Sequence, residues 1–217
     1  MKTLKYISTN LFSSIAAGMC IGIAGIVYLS QENKIIGSFL FSIGLLTILL
    51  YGFKLFTGMV GDITLNLINK KYKYILDLII ILIGNFLGTY IISIIIKLTN
   101  LSDKLINKAN NIVIDKLNDT WYSLLILGIL CGFMMYIAVV TYKSQNIDPS
   151  LSCIVVIISV MVFILAGFEH SIADMFYFAL SNKIIEASDE LLFIILGNLI
   201  GGNIIPILKI LSYNDNK

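Results

Sequence analysis

The chain has 217 residues, 58% of them hydrophobic and only 13% charged, with a formal net charge of +2 and a mean hydropathy of +0.94. Soluble domains are about half apolar and about a quarter charged, and disordered chains are polar, so both classes are excluded. The three cysteines, Cys20, Cys131 and Cys153, each sit in an apolar run without a C-x-x-C pair; that excludes a disulfide-built secreted domain and leaves a polytopic membrane protein.

A helix needs about 20 mostly apolar residues to cross a bilayer, and six such crossings are predicted. The first covers residues 11–29. It lacks a small-residue cleavage site and is followed at once by further apolar pattern, so it reads as a crossing rather than a cleaved leader. The second covers 35–67 and the third 75–96. Residues 97–120 form the longest polar stretch, a loop with a short amphipathic piece marked by Leu101, Leu105, Ile112 and Leu117. The fourth crossing covers 121–141, the fifth 151–180 and the sixth 191–211. No separate soluble domain is left over, so residues 1–217 read as one transmembrane domain.

All 15 basic residues are lysine. Bidentate arginine recognition of phosphate is absent, and no basic stripe lies outside the apolar segments, which argues against nucleic acid. The Lys, Ile and Asn bias points to an AT-rich bacterial genome. Lysine placement sets the expected orientation. With the N-terminus in the cytoplasm, the inner segments hold Lys2, Lys5, Lys70, Lys71, Lys73, Lys143, Lys209 and Lys217 against few acids. The outer loops then hold six lysines against seven acids. Both termini are therefore expected inside, at a bacterial cytoplasmic membrane.

The second half echoes the first. Gly52-Phe53-Lys54 returns as Gly167-Phe168-Glu169, and Gly84-Asn85-Phe86-Leu87-Gly88 as Gly197-Asn198-Leu199-Ile200-Gly201. Gly18-Met19-Cys20 resembles Gly128-Ile129-Leu130-Cys131 more loosely. The order is kept at nearly one offset. Three crossings per copy, at about 11–96 and 121–211, force the second copy into the membrane upside down, a plan recurrent in channels and transporters. The glycines also serve a simpler purpose, letting helices pack closely.

Polar groups at membrane depth are costly, so their positions carry information. They cluster in the second and fifth crossings, around Lys54, Thr57 and Asp62 and around Glu169, His170 and Asp174. Glycines and charges in mid-crossing are what a broken helix requires, because its freed backbone groups must line a buried or watery cavity. His170, the single histidine, can exchange a proton near neutral pH. Lys54 and Glu169 hold equivalent repeat positions with opposite charge, and they are expected to join one buried neutralising network. No metal-ligand spacing, no catalytic motif and no phosphate-binding loop is present, so neither a metal, a cofactor nor an enzymatic activity is expected.

These segments resemble the formate/nitrite transporter family of anion channels, from about Ala16 to Leu208. Phe41-Ser42-Ile43-Gly44-Leu45 leading to Gly52-Phe53-Lys54-Leu55-Phe56-Thr57-Gly58 looks like the family's F-S-x-G-L…G-x-E-L-F-T-G. Gly128-Ile129-Leu130-Cys131 looks like G-I-L-C-N. Gly167-Phe168-Glu169-His170-Ser171-Ile172-Ala173-Asp174-Met175 is similar to G-F-E-H-S-V-A-N-M, and Gly197-Asn198-Leu199-Ile200-Gly201-Gly202 to G-N-I-I-G-G.

The resemblance implies an all-α integral membrane protein with six transmembrane helices. It implies an aquaporin-like inverted three-helix repeat with the second and fifth helices broken, in a homopentamer with one pore per subunit. It implies passage of a small monovalent anion such as formate, nitrite or hydrosulfide, together with protons. His170 and Thr57 fall at the pore centre. Phe41, Leu45, Leu55, Phe56 and Phe163 fall at or beside its apolar constrictions, although core packing is the ordinary use of such residues. Lys54, Glu169 and Asp174 are the pore-associated polar groups. Lys54 and Asp174 stand where the family has an acid and an asparagine, Met59 where a small polar residue is common, and Gly132 where asparagine is usual. The family's entrance lysine aligns with Thr9, and Lys5 lies about one turn earlier. In the mechanism this suggests, lysines draw the anion in, Thr57 orients it, and His170 donates or relays a proton so that the neutral acid passes the apolar rings. A neutral-solute channel for water, ammonia or glycerol is the alternative, though the paired N-P-A motifs are absent. A non-transporting membrane sensor or assembly protein is the other.

Overall fold

Apolar runs of this length have one low-energy form away from water, the helix, in which every backbone group bonds within its own segment. The computed structural model describes residues 2–214, with side chains for residues 6–212, and contains no strand among them. In chain order the helices are α1 (Lys2–Ser30), α2 (Lys34–Tyr51), α3 (Phe56–Met59), α4 (Ile63–Ile68), α5 (Lys73–Lys97), α6 (Ser102–Leu117), α7 (Trp121–Lys143), α8 (Pro149–Leu165), α9 (Ser171–Leu180) and α10 (Ser188–Asn214). Short polar residues start several of them. Asn33 Oδ1 accepts from the N–H groups of Ile35 and Ile36 at the start of α2. Thr120 caps α7. Asp148 caps α8, with Pro149 in its first turn, where proline loses no helical bond.

Five helices are long and apolar enough to cross a membrane: Tyr6–Ser30, Lys34–Tyr51, Lys73–Lys97, Trp121–Lys143 and Ser188–Ser212. α8, with 17 residues, and α9, with 10, fall short of that length singly. Beside a buried apolar core, the bundle exposes many large apolar side chains and buries a set of polar ones, unlike a soluble protein. Phe39, Ile43, Ile83, Ile154 and Ile158 face outward, while Ser14, Asn85, Thr89, Ser159 and Asn198 are buried.

Two helix pairs hold the bundle together by close backbone approach. α1 lies along α5 and α7 along α10. A Cβ added at Gly88 would fall 2.8 Å from Gly18 Cα, and one at Gly197 would fall 2.8 Å from Gly128 Cα. Both distances are below any real contact, so the repeated glycines do serve packing. Gly132, where the resemblance has asparagine, is another such point, since a Cβ there would fall 2.8 Å from Asn198 Cα.

α2 and α8 stop in mid-bundle, in the same way. Gly52 (φ +67°) and Gly167 (φ +74°) take the left-handed conformation that side-chain-bearing residues disfavour. The next residues close matching caps, Phe53 N–H on Ile48 O at 2.9 Å and Phe168 N–H on Phe163 O at 2.8 Å. Three non-helical residues follow each glycine before α3 and α9 begin, the last of each set, Leu55 and His170, being extended.

The 97–120 stretch is more regular than the sequence predicts. α6 is a four-turn helix that buries Leu105, Ala109 and Val113 against the bundle, whereas Leu101 is exposed. A single apolar stripe four residues apart, on an otherwise polar segment, suffices once α1, α5 and α9 present a surface to receive it. Among the positions used to orient the chain, the side chains of Lys2, Lys5, Asp215 and Lys217 lie outside the described residues.

Candidate functional site

Two asparagines hold the helix breaks open. Asn85 Oδ1 accepts from Phe56 N–H at 2.8 Å, and its Nδ2 donates to the carbonyls of Ser14 at 2.8 Å and Lys54 at 2.9 Å. Asn198 repeats the arrangement. Its Oδ1 accepts from Ser171 N–H at 2.9 Å, and its Nδ2 donates to the carbonyls of Gly128 at 2.9 Å and Glu169 at 2.8 Å. Each asparagine thus supplies what the interrupted helix withholds, an acceptor for the first N–H of the new helix and a donor for a stranded carbonyl. Neither residue is singled out by the sequence reading, although both sit inside the repeated glycine motif.

The two breaks bring Thr57 and His170 together. Thr57 Oγ1 lies 2.9 Å from His170 Nε2, and both residues are buried. His170 Nδ1 accepts the N–H of Ala173 at 3.1 Å, capping α9. An accepting Nδ1 leaves the neutral ring's hydrogen on Nε2, so the imidazole donates and the Thr57 oxygen accepts. The Thr57 hydroxyl hydrogen is then available to a third partner.

One cavity touches this pair, at His170, and a second lies beside the residues that flank Thr57 in sequence. A chamber of about 190 Å³ is lined by Phe41, Phe163, His170, Glu169, Asp174 and Lys116, among others. The Phe163 ring stacks on His170 with centroids 5.4 Å apart and meets Phe41 edge-on at 6.3 Å. A smaller recess of about 40 Å³ is lined by Leu45, Leu55, Met59 and Lys143, among others. Leu45 and Leu55 are each 2% exposed. Phe56 is buried beside Thr57 and lines neither cavity.

The charged residues divide differently from the expectation. Lys54 does not join Glu169. Its Nζ donates to Asn10 Oδ1 at 2.6 Å on α1, its backbone N–H donates to Ser13 Oγ at 3.2 Å, and its ammonium stands 5.9 Å from the Tyr6 ring. Asn10 Nδ2 in turn reaches Asp77 Oδ1 at 3.5 Å, and Tyr6 Oη donates to Asp77 Oδ2 at 2.8 Å. Each break faces its own set of helices, and each charge is settled there. The cation on Glu169 is Lys116, which also lies 3.0 Å from Asp174 Oδ1. Lys116 projects from the last turn of α6. Burial works against its charge, but the Asp174 and Glu169 carboxylates outweigh that and hold the amine above the ordinary lysine range. Sequence reading misses Lys116 because it sits in a polar segment among other lysines, and only the docking of α6 turns it inward. No group of three or more His, Cys, Asp or Glu side chains that could hold a metal exists among the described residues.

The sequence model of the family described as "Formate/nitrite transporter" matches residues 2–211. The formate channel FocA of Haemophilus influenzae is 26% identical over 188 residues, covering 77% of this chain and 64% of that one. The chain thus spans just under two thirds of that relative's length. The formate-nitrite transporter of Plasmodium vivax is 27% identical over 236 residues, covering 93% of this chain and 74% of the other. A solved structure described as a pentameric formate channel with formate bound superposes with a TM-score of 0.76 at 24% identity, covering 96% of this chain and 98% of that one.

Proposed function

This chain belongs to the formate/nitrite transporter family, and on that premise we propose that it is a membrane channel for small monovalent weak-acid anions, formate, nitrite or hydrosulfide, whose passage is linked to protons at His170. The observation that carries the proposal is the buried Thr57–His170 pair at 2.9 Å, with His170 on the wall of an aromatic chamber. α8 and α9 together make the fifth crossing, which brings the total to six. The matching breaks, caps and asparagines 113–115 residues apart are those of an inverted repeat with the permeation path between its halves. Subunits assemble as pentamers in a bacterial cytoplasmic membrane, each with its own pore and with both termini inside. Both the formate-bound solved structure and the named relatives support this reading.

A bare anion does not cross a dry apolar constriction cheaply, because an isolated charge in a low-dielectric setting is heavily penalised. A weak acid escapes that penalty by crossing as its neutral form. Lys34 and Lys116 line the chamber and draw the anion in. Phe41 and Phe163 strip its water. At the station, the anion accepts hydrogen bonds from the His170 Nε2–H and the Thr57 hydroxyl. A proton delivered from bulk solution through the chamber water joins the anion there, the His170 ring keeping its own, and the neutral acid passes Leu45 and Leu55 and releases the proton to water in the recess beyond. Strong-acid anions such as chloride are excluded, since they cannot be protonated. Direction follows the combined gradients of anion and proton.

Flux into proteoliposomes tests this. Purified protein is expected to conduct formate faster at acid than at neutral pH and to exclude chloride. His170→Phe, which retains the stack on Phe163 but removes Nε2–H, is expected to lose the pH dependence along with most of the flux. Wild-type protein that passes water or glycerol but no weak acid would overturn the proposal.

A further inference from the structure

The charged groups on the chamber wall cancel. Lys34 and Lys116 line it, and so do Glu169 and Asp174, two ammonium groups against two carboxyl groups. Lys116 is already committed, since it lies on Glu169 and 3.0 Å from Asp174 Oδ1. The lysines bring an anion to the mouth, but with all four groups ionised the wall has no net formal charge to retain it. An anion that gives up bulk water in a cavity of about 190 Å³ has to recover hydrogen bonds from donors that no protein acceptor has claimed.

Tyr28 of α1 and Tyr177 of α9 line the same wall, and their hydroxyls are such donors. Among the described residues, neither bonds to another protein group, and neither is sealed from water. The buried side-chain atoms without a partner are oxygens of Ser171, Asp174 and Glu190 instead. Tyr177 is 7% exposed, and the space its hydroxyl meets is the chamber that it lines. α1 packs on α9, and the two phenols lie within electrostatic reach of each other. Packing holds both rings: Tyr28 meets Phe41 edge-on at 6.4 Å, and Tyr177 meets Phe176 at 5.7 Å. A buried tyrosine ordinarily finds a partner for its hydroxyl. Two on one cavity wall without a protein partner mark a place where a ligand supplies the acceptor. Lys34 stands beside them, at the seam with a second cavity of about 250 Å³ that Tyr28 also lines.

We propose that Tyr28 and Tyr177 form an oxyanion-binding subsite of the chamber: their phenol hydroxyls donate to the oxygens of formate or nitrite, beside Lys34, before the anion reaches His170. This deepens the channel reading above and rests on it. O–H donors make short, charge-assisted bonds to an anionic oxygen, whereas sulfur is the weaker acceptor. The subsite therefore favours formate and nitrite over hydrosulfide and narrows the permeant class to small oxyanions. No proton moves within it. The phenols hold the anion, and protonation follows at the station.

Tyr28→Phe and Tyr177→Phe each remove one hydroxyl and keep the ring contacts. In proteoliposomes each is expected to raise the formate concentration for half-maximal flux by roughly 10-fold, the low end for a hydrogen bond to a charged group. The limiting flux and the pH profile are expected to stay as in the wild type. Infrared spectra of isotope-labelled formate with the purified protein read the subsite without flux. The concentration that half-fills the bound-formate band is expected to rise in each variant as the flux value does. Nitrite is expected to displace the labelled formate, and hydrosulfide at the same concentration is not. Half-filling and half-maximal concentrations unchanged in both variants overturn the inference, as does a loss confined to the limiting flux, or displacement by hydrosulfide as readily as by nitrite. Wild-type protein that shows the bound-formate band and its dependence on the two phenols, but passes no weak acid, overturns the channel reading and leaves the subsite standing.

Discussion

Asn85 and Asn198 each carry three hydrogen bonds where no water reaches. Every other way of satisfying those backbone groups would require the broken helix to close up, which would remove the station. Asn198→Leu keeps most of the volume and leaves the Ser171 N–H and the Glu169 carbonyl unpaired. At about 1–3 kcal/mol for each buried orphan, a loss of roughly 2–6 kcal/mol is expected, read as a lower thermal midpoint of the purified protein and a larger loss of flux than of folded yield. A variant as stable and active as the wild type would mean that the asparagine is incidental to the break. At this scale the sequence is legible in part. His170, Thr57, Phe41, Leu45, Leu55 and Phe163 are named from motif, and the structure sets Thr57 and His170 within hydrogen-bond distance. Lys116 and the asparagines are not, because a residue type says nothing about which backbone group or carboxyl it will meet 27–71 residues away along the chain.

The helices meet through backbone, not side chain, at their central crossings. Lipid offers no hydrophobic drive between apolar helices, so close van der Waals approach takes its place. Gly88 on α5 lies against Met19 N and Gly18 Cα of α1, at 2.7 and 2.8 Å from where a Cβ would stand. Gly88→Leu is therefore expected to abolish recovery of folded protein, since rigid backbone cannot yield as a side chain can. Leu87→Ala, one position along and partly exposed, is expected to leave recovery unchanged, as measured by size-exclusion chromatography in detergent. Equal recovery of both would show that the helix pair tolerates separation. The paired glycines are legible because period and spacing are local properties. α6 is less so, because a polar helix with one apolar stripe has no reason to form until a surface is offered to it.

The whole molecule presents many large apolar residues to its surroundings and holds a set of buried polar ones within an otherwise apolar interior. In the proposed pentamer, lipid would cover that outer surface in part and neighbouring subunits the rest. Cross-linking of the purified chain in detergent is expected to yield species up to five subunits and none larger. A monomer that retains full flux would show that assembly is dispensable to the pore, and a limit other than five would reject the proposed stoichiometry.

Membrane residence, the helical class, the internal repeat and the identity of the central polar residues follow from the sequence by itself, because hydropathy, spacing and motif are carried by neighbours along the chain. The partnership of Thr57 with His170, the separation of Lys54 from Glu169, and the placing of Lys116 between two carboxyls belong to the tertiary structure alone. Each depends on distances between segments that are far apart in sequence, and short-range electrostatics and hydrogen bonding act only once packing has set those distances.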